Sequence, residues 1–145
     1  MLTTDQKGAI AESAIAHAAL KLGIDVYRPL AGGGRYDMIF DVGSALLRVQ
    51  CKWARRVANV VVIRCYSARR TADGLRTREY TAEEVDRIAA YCPDIDRCYV
   101  LAPEHFDGRR TVCLRLDPAL NNQRRRINWA EDFELPARMA ALVGP

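Results

Sequence analysis

The chain has 145 residues, of which 50% are hydrophobic and 28% are charged, and its formal net charge is +4. These values are typical of a globular protein and exclude a disordered chain; no apolar run approaches the roughly 20 residues that a membrane helix needs. The positive charge comes mostly from arginine, whose planar guanidinium matches phosphates and guanine edges, so a polyanionic partner is favoured.

The organisation of the sequence is simple. No linker or repeat divides it, so a single domain over residues 1–145 is predicted. The five cysteines are odd in number and form no C-x-x-C pair, which argues against a disulfide framework or a zinc knuckle. Asp5, Lys7 and Glu12 interrupt the first residues, so no secretory signal is predicted and we expect a cytoplasmic protein.

The first predicted element is a helix from Thr4 to about Lys21, with Thr3 or Thr4 as N-cap and Gly23 as its stop. Glu12 lies at the margin of its apolar face. Two interpretations of Glu12 stay open: an exposed boundary residue, or an acid directed at a site built around Asp37.

A strand over residues 25–30 follows, and then the glycine-rich segment 31–34 with Arg35 beside it. This segment is not a phosphate-binding Walker loop, because no Gly-Lys-Ser/Thr sequence follows it. It is either a flexible connector or a loop whose bare backbone approaches a DNA phosphate.

Two strands joined by a tight turn, residues 36–41 and 45–52, contain the most informative side chains. Asp37 sits among apolar residues, where an unpaired charge costs several kcal/mol, so it needs a cation or a lysine as partner. On the second strand Arg48, Gln50 and Lys52 share one face, because side chains alternate with period two.

The remainder alternates between strands, helices and basic segments. Strands are predicted over residues 59–65, 97–101 and 109–116, a second helix from Thr81 to about Tyr91, and a closing amphipathic helix over 135–143. The segment 67–78 is either a solvated loop or a DNA-contacting loop, because four arginines cluster there. Residues 121–126 are rich in groove-reading side chains, which either read bases or cap and solvate a turn.

The spacing of Asp37 and Gln50-Cys51-Lys52 resembles that of the PD-(D/E)XK nucleases, in which an acid on one strand precedes an acid or amide, a spacer and a lysine on the next. The similarity is to the group I intron-associated, homing-endonuclease branch. It extends over Lys7-Gly8, Glu12, Tyr27-Arg28-Pro29-Leu30, Tyr36-Asp37, Arg48 to Lys52, residues 86–99 and Asn121-Asn122-Gln123.

The resemblance implies an α/β protein with a restriction-endonuclease-like αβββαβ core, in which helices flank a mixed sheet. It implies a site-specific endonuclease acting on double-stranded DNA with Mg²⁺, which Mn²⁺ would replace. The implied catalytic residues are Glu12, Asp37, Gln50 and Lys52. The metal ligands would be Asp37, Gln50, Glu12 and the backbone carbonyl of Cys51. Lys52 would assist deprotonation of the attacking water or stabilise developing charge.

We expect DNA contacts from Arg35, Arg55, Arg69, Arg70, Arg76, Asn122, Arg124 and Arg125. Since one such site cuts one strand, a double-strand break requires a homo-oligomer, a dimer or a tetramer. Gln50 replaces the more common acid and is a weaker ligand than a carboxylate. The alternatives are therefore a junction-resolving or other structure-specific nuclease, or a catalytically dead DNA-binding module.

Overall fold

Helix α1 (Thr4–Lys21) opens the chain and is fixed at its start by its own side chains. The computed structural model describes residues 1–117 and 127–143. Thr3 Oγ1 accepts a hydrogen bond from Gln6 N at 3.1 Å, and the Gln6 side chain accepts one from Thr3 N at 2.9 Å. This reciprocal capping box, together with Gly23 at a φ of 81° after the last turn, confirms both predicted ends of the helix.

The described residues after α1 form ten strands and two short helices. The strands are β1 (Asp25–Tyr27), β2 (Met38–Asp41), β3 (Leu46–Trp53), β4 (Arg55–Val57), β5 (Val60–Arg64), β6 (Tyr66–Thr71), β7 (Gly74–Glu79), β8 (Arg87–Cys92), β9 (Arg97–Leu101) and β10 (Thr111–Arg115). Helix α2 is Pro103–Phe106, and a 3-10 turn, Ala130–Phe133, leads into helix α3 (Leu135–Ala140).

A five-stranded mixed sheet, in the order β1-β2-β3-β8-β9, forms the centre of the fold. Its strands pair antiparallel except for β3 and β8, which run parallel with Gln50 opposite Ile88 and Lys52 opposite Ala90. A parallel pair requires a crossover connection. Strands β4 to β7 lie within that connection: β4 and β5 join β10 in a second sheet, and β6 and β7 form a hairpin.

The central sheet is buried on both faces, as the alternation along β8 shows. Ala89 belongs to the core shared with α1 and α3, which includes Ile15 and Met139. Ile88 belongs to a second core shared with the sheet of β4, β5 and β10, which includes Ile63. The predicted α/β fold, a mixed sheet flanked by helices, is confirmed.

The predicted second helix is wrong, because residues Arg87–Cys92 form strand β8. Thr81 begins only a single turn, in which its carbonyl accepts hydrogen bonds from Glu84 N and Val85 N, both at 3.1 Å. Asp86 N then donates to Arg48 O at 2.9 Å, which joins the chain to the edge of β3. The hydrophobic pattern of six mostly apolar residues does not distinguish a buried strand from a helix. Pairing with β3 therefore determines that this segment is a strand.

In the described part of the chain, no helix combines the length and the apolar character that a membrane crossing requires.

Candidate active site

Asp37 is held against β3 by two hydrogen bonds, one from its backbone and one to its side chain. Its N–H donates to Val49 O at 2.9 Å, and its Oδ2 accepts a hydrogen bond from Cys51 N at 2.8 Å. The antiparallel register of β2 and β3 pairs Met38 with Val49, so the turn between the strands brings the acid beside the segment 50–52.

The charge on Asp37 is only partly balanced by its surroundings. Burial raises the pKa of Asp37, whereas the Cys51 N–H and the charges of Lys52 and Arg28 lower it, and burial is the largest effect. Among the described residues, Oδ2 has a hydrogen-bond donor and Oδ1 has none. One carboxylate oxygen is therefore free to bind a cation.

Glu12 from α1 lies beside the same site. Its pKa is raised by burial and by the negative charge of Asp37, so the two carboxylates are close enough to repel each other. The Arg28 guanidinium lies 3.3 Å from Glu12 Oε1 and opposes that shift, although its side chain is 72% exposed. The interpretation of Glu12 as an acid directed at Asp37 therefore fits the structure better than that of an exposed boundary residue.

A cleft of about 290 Å³ separates these acids from the glycine-rich segment. Glu12, Arg28 and Asp37 line one part of it, and residues 29–34 with Tyr36 line the rest. The segment has no Cβ atoms over Gly32, Gly33 and Gly34, so its backbone is accessible to a group that enters the cleft.

Gln50 is nearly enclosed, with 8% of its surface exposed. Its Nε2 donates a hydrogen bond to Cys51 O at 3.2 Å, so the amide and the carbonyl predicted as ligands lie next to each other. Gln50 is the one buried polar residue among the described part of the chain. A polar side chain in such a position is retained only with a partner, here the Cys51 carbonyl.

Lys52 reaches the base of the β6–β7 hairpin. Its Nζ donates to Tyr66 O at 2.8 Å and lies 4.8 Å from the centre of the Tyr80 ring. Burial lowers the pKa of Lys52, and the nearby charge of Asp37 opposes this effect. Asp37 thus lies beside the segment 50–52 and within electrostatic range of both Glu12 and Lys52.

The oxygen atoms of this site fit a hard divalent cation. Two carboxylates, one amide oxygen and one backbone carbonyl are donors of the kind that Mg²⁺ prefers. The mutual repulsion of Glu12 and Asp37 and the free Oδ1 of Asp37 both favour a positive charge between them. No group of three or more His, Cys, Asp or Glu side chains suited to a metal occurs in the described ranges, so these two carboxylates would need the amide and carbonyl oxygens as further ligands.

The predicted basic loop at 67–78 is a hairpin with arginines on its surface. Strands β6 and β7 pair so that Arg69 stands directly opposite Arg76, and Arg70 opposite Leu75. All three arginines are exposed. Like charges opposite each other destabilise a strand pair, so this surface is better suited to binding a polyanion than to stabilising the hairpin.

The other predicted DNA contacts differ in their surroundings. Arg55 is exposed on β4. Arg35 is half-buried and bonded to Glu84, Ser67 and Glu79, so most of its donors already have protein partners. That arrangement argues against the predicted DNA contact of Arg35, and its role as a DNA ligand stays an untested prediction. Asn122, Arg124 and Arg125 lie outside the described residues.

The sequence interpretation missed two residues beside the site, Arg28 and Tyr80. Arg28 is next to Glu12, and the Tyr80 ring contacts the cations of both Arg35 and Lys52. Arg28 had a weak signal, because it belongs to the Tyr-Arg-Pro-Leu string that carries the family resemblance. Tyr80 had no signal, since its partners lie far away in the sequence.

Comparisons with known proteins identify the family and the fold. The sequence model of the PD-(D/E)XK endonuclease family matches residues 2–136. No curated protein matches the chain significantly. The fold is similar to the solved structure of a bacterial homing endonuclease, I-Ssp6803I, with 25% sequence identity, a TM-score of 0.75 and coverage of 97% of each chain. The chain therefore belongs to the PD-(D/E)XK endonuclease family.

Proposed function

We propose that this chain is a Mg²⁺-dependent, site-specific endonuclease of the homing type, which hydrolyses phosphodiester bonds in double-stranded DNA as a homo-oligomer. Family membership supports a nuclease, and PD-(D/E)XK nucleases generally depend on a divalent metal. The single observation that carries the proposal is the hydrogen bond from Cys51 N to Asp37 Oδ2, which joins an incompletely neutralised acid to the segment that contains Gln50 and Lys52.

Phosphodiester hydrolysis requires alignment and charge neutralisation rather than covalent catalysis. Asp37 Oδ1 and a carboxylate oxygen of Glu12 would hold Mg²⁺, with Gln50 and the Cys51 carbonyl completing the protein ligands. The bound ion supplies Lewis-acid stabilisation of the phosphate charge and a more acidic water. Lys52, whose pKa is lowered by burial, would accept a proton from the attacking water or stabilise the charge that develops on the phosphate.

The exposed arginines of the β6–β7 hairpin support DNA as the substrate. Arg69, Arg70 and Arg76 would contact the phosphate backbone, and Arg55 would extend this positive surface along β4. Neutralising six phosphates would give log K a slope near −5 against log salt, from about −0.9 per phosphate. A slope near zero would contradict DNA binding.

The first test is cleavage of supercoiled plasmid with Mg²⁺, Mn²⁺ or EDTA by the native chain and by Asp37→Ala and Lys52→Ala. Asp41→Asn is a matched control, because Asp41 ends β2, the strand that follows Asp37, and accepts a hydrogen bond from Gly43 N in the turn. We expect metal-dependent cutting that both alanine variants lose and Asp41→Asn retains. Cutting that survives both alanine substitutions would contradict the proposed site.

A catalytically dead DNA-binding module is a second candidate, supported by one observation. The Gln50 amide donates to the Cys51 carbonyl, so in this conformation that carbonyl is occupied by a hydrogen bond. Salt-dependent duplex binding without cleavage in any divalent metal would select this candidate, provided that calorimetry also detects no Mg²⁺ or Mn²⁺ binding that Asp37→Ala abolishes.

A further inference from the structure

The guanidinium of Arg35 joins both strands of the β6–β7 hairpin at their base. Its Nη1 donates to Ser67 Oγ on β6 at 2.9 Å, and its Nη2 donates to Glu79 O on β7 at 2.7 Å. Its Nε and Nη2 also bond the Glu84 carboxylate, at 2.9 and 3.4 Å. The guanidinium lies 4.2 Å from the centre of the Tyr80 ring. Arg35 is thus a structural clamp with four different partners.

Lys52 contacts the same place from the central sheet. Its Nζ donates to Tyr66 O, and Tyr66 is the residue that pairs with Glu79 across the hairpin. Lys52 also lies over the Tyr80 ring that Arg35 contacts. The two cations therefore share one aromatic ring and one pair of residues at the hairpin base.

These contacts help to orient the hairpin, together with Arg110, which lies 4.3 Å from the centre of the Tyr66 ring and donates to Thr77 Oγ1 at 3.1 Å. A two-stranded ribbon is marginally stable by itself in water. Backbone hydrogen bonds hold its ends, from Cys65 N to Arg110 O at 2.8 Å and from Tyr80 N to Cys65 O at 3.1 Å. The Arg35 fork is the contact that joins Ser67 on β6 to Glu79 on β7 and fixes both against Tyr80.

We infer that Arg35 is a positioning residue, which holds the base of the β6–β7 hairpin so that the Tyr66 carbonyl and the Tyr80 ring fix the ammonium of Lys52 in the active site. This inference rests on the proposed function. It also makes the hairpin a mechanical link, because DNA bound at Arg69 and Arg76 acts on the same two strands that orient Lys52.

The inference requires the fork of an arginine and not only its charge. A lysine at position 35 would keep the positive charge but has one ammonium to serve Ser67, Glu79 and Glu84, which the guanidinium reaches with three nitrogens. Arg35→Lys therefore separates geometry from electrostatics. A matched control exists in Arg48, which bonds the Asp86 carboxylate through Nε and Nη2 at 3.0 and 3.1 Å without contacting the hairpin or Lys52.

The first readout needs no activity. Lys52 Nζ lies over the Tyr80 ring, 4.8 Å from its centre, so we expect the adjacent ε-methylene protons to have upfield ring-current shifts in the NMR spectrum of protein with labelled lysine. We expect Arg35→Lys to move these resonances toward ordinary lysine positions, and Arg48→Lys to leave them unchanged. If Arg35→Lys does not fold, Ser67→Ala removes one contact of the fork and should cause a smaller shift in the same direction.

The second readout separates catalysis from binding. We expect Arg35→Lys to slow single-turnover cleavage of duplex DNA by about 10- to 100-fold, because small displacements of a reacting group have effects of this size. The dissociation constant for the duplex should change by less than about threefold, since the hairpin arginines remain. Arg48→Lys should lose a comparable amount of thermal stability but should change neither the cleavage rate nor the dissociation constant.

Unchanged Lys52 resonances in folded Arg35→Lys would overturn the inference. So would a proportional loss of binding and cleavage, which is the result expected if Arg35 were simply a DNA ligand. If the native chain neither binds nor cleaves DNA, the proposed function fails, and the NMR comparison still shows whether Arg35 positions Lys52.

Discussion

Asp37 and Cys51 are joined across β2 and β3 by a hydrogen bond of 2.8 Å, in which the backbone N–H of Cys51 donates to Oδ2 of the carboxylate. This bond has two consequences. It fixes Oδ2 of a carboxylate that lines the cleft shared with Glu12, and it occupies a backbone donor that would otherwise have no partner at the acid. A substitution that keeps an acceptor at this position should therefore preserve the fold while removing the charge.

Asp37→Asn is expected to abolish cleavage, by at least about 100-fold, without unfolding the protein. Burial raises the pKa of Asp37 in the folded state. The protonated carboxyl therefore stabilises the fold fully below the pKa of about 3.9 in the unfolded chain, and this stabilisation is lost as the pH rises through the higher pKa of the folded protein. Without metal at neutral pH, the variant should thus unfold at a higher denaturant concentration than the native chain, and the difference should shrink in acid.

Mg²⁺ at 100 times its dissociation constant should stabilise only the native chain, by about 2.7 kcal/mol. A native chain that gains no stability from Mg²⁺ would contradict the metal site.

Gln50→Glu is expected to tighten Mg²⁺ or Mn²⁺ binding, because it adds a third carboxylate beside Asp37 and Glu12. The same change should destabilise the metal-free protein, since Gln50 is buried and its Nε2 bond to Cys51 O is lost. Calorimetric titration and denaturant unfolding, each with and without metal, measure the two effects. Gln50→Ala is the control, which should weaken metal binding; equal affinities in all three proteins would mean that residue 50 is not a ligand.

The pH dependence of cleavage should report on Lys52. Burial lowers the pKa of Lys52, so its neutral amine forms at a lower pH than in an unfolded chain, whose value is about 10.4. If Lys52 accepts the proton of the attacking water, the single-turnover rate should rise with pH and level off below that value. Lys52→Arg cannot lose its proton in this range, so it should be slower by at least about 100-fold. A Lys52→Arg variant of near-native rate would instead assign Lys52 to charge stabilisation.

The double substitution Arg69→Gln and Arg76→Gln should weaken DNA binding without weakening the fold. Removing two phosphate contacts should reduce the magnitude of the salt slope by about 1.8. Because the two arginines stand opposite each other on the hairpin, their loss should leave the free energy of unfolding unchanged or raise it by a few tenths of a kcal/mol. Arg138→Gln on α3 is the control, since Arg138 contacts Phe133 and Asp132 O. An unaltered salt slope in the double variant would mean that the DNA does not bind at the β6–β7 hairpin.

Arg28→Ala should strengthen the binding of divalent cations. Arg28 is the cation nearest to Glu12, at 3.3 Å, and its charge opposes that of any ion held between Glu12 and Asp37. Because its side chain is largely exposed, we expect a change of only about two- to fivefold in the dissociation constant. Arg28→Lys keeps the charge and should remain near the native value. Weaker metal binding in Arg28→Ala would mean that Arg28 supports the site by orienting Glu12.

The sequence by itself determined the elements whose interactions are local. The capping box of Thr3 and Gln6 lies within one helical turn. The β2–β3 pair follows from alternating side chains and a short turn, and the family resemblance placed Asp37 beside residues 50–52. The family resemblance then connected Glu12, on another element, to the same site, and the fold class followed.

The tertiary structure decided the features whose partners lie far along the chain. Residues 87–92 become a strand because β3 offers a parallel edge, which no local pattern reveals. The side chain of Arg35 is held by Ser67 and Glu84, which are 32 and 49 residues away in the sequence. Its immediate sequence neighbours, in contrast, resemble those of an exposed DNA ligand. A side chain's environment is set by the groups that folding brings to it, and for Arg35 and Lys52 those groups belong to a hairpin that the sequence showed only as a basic loop.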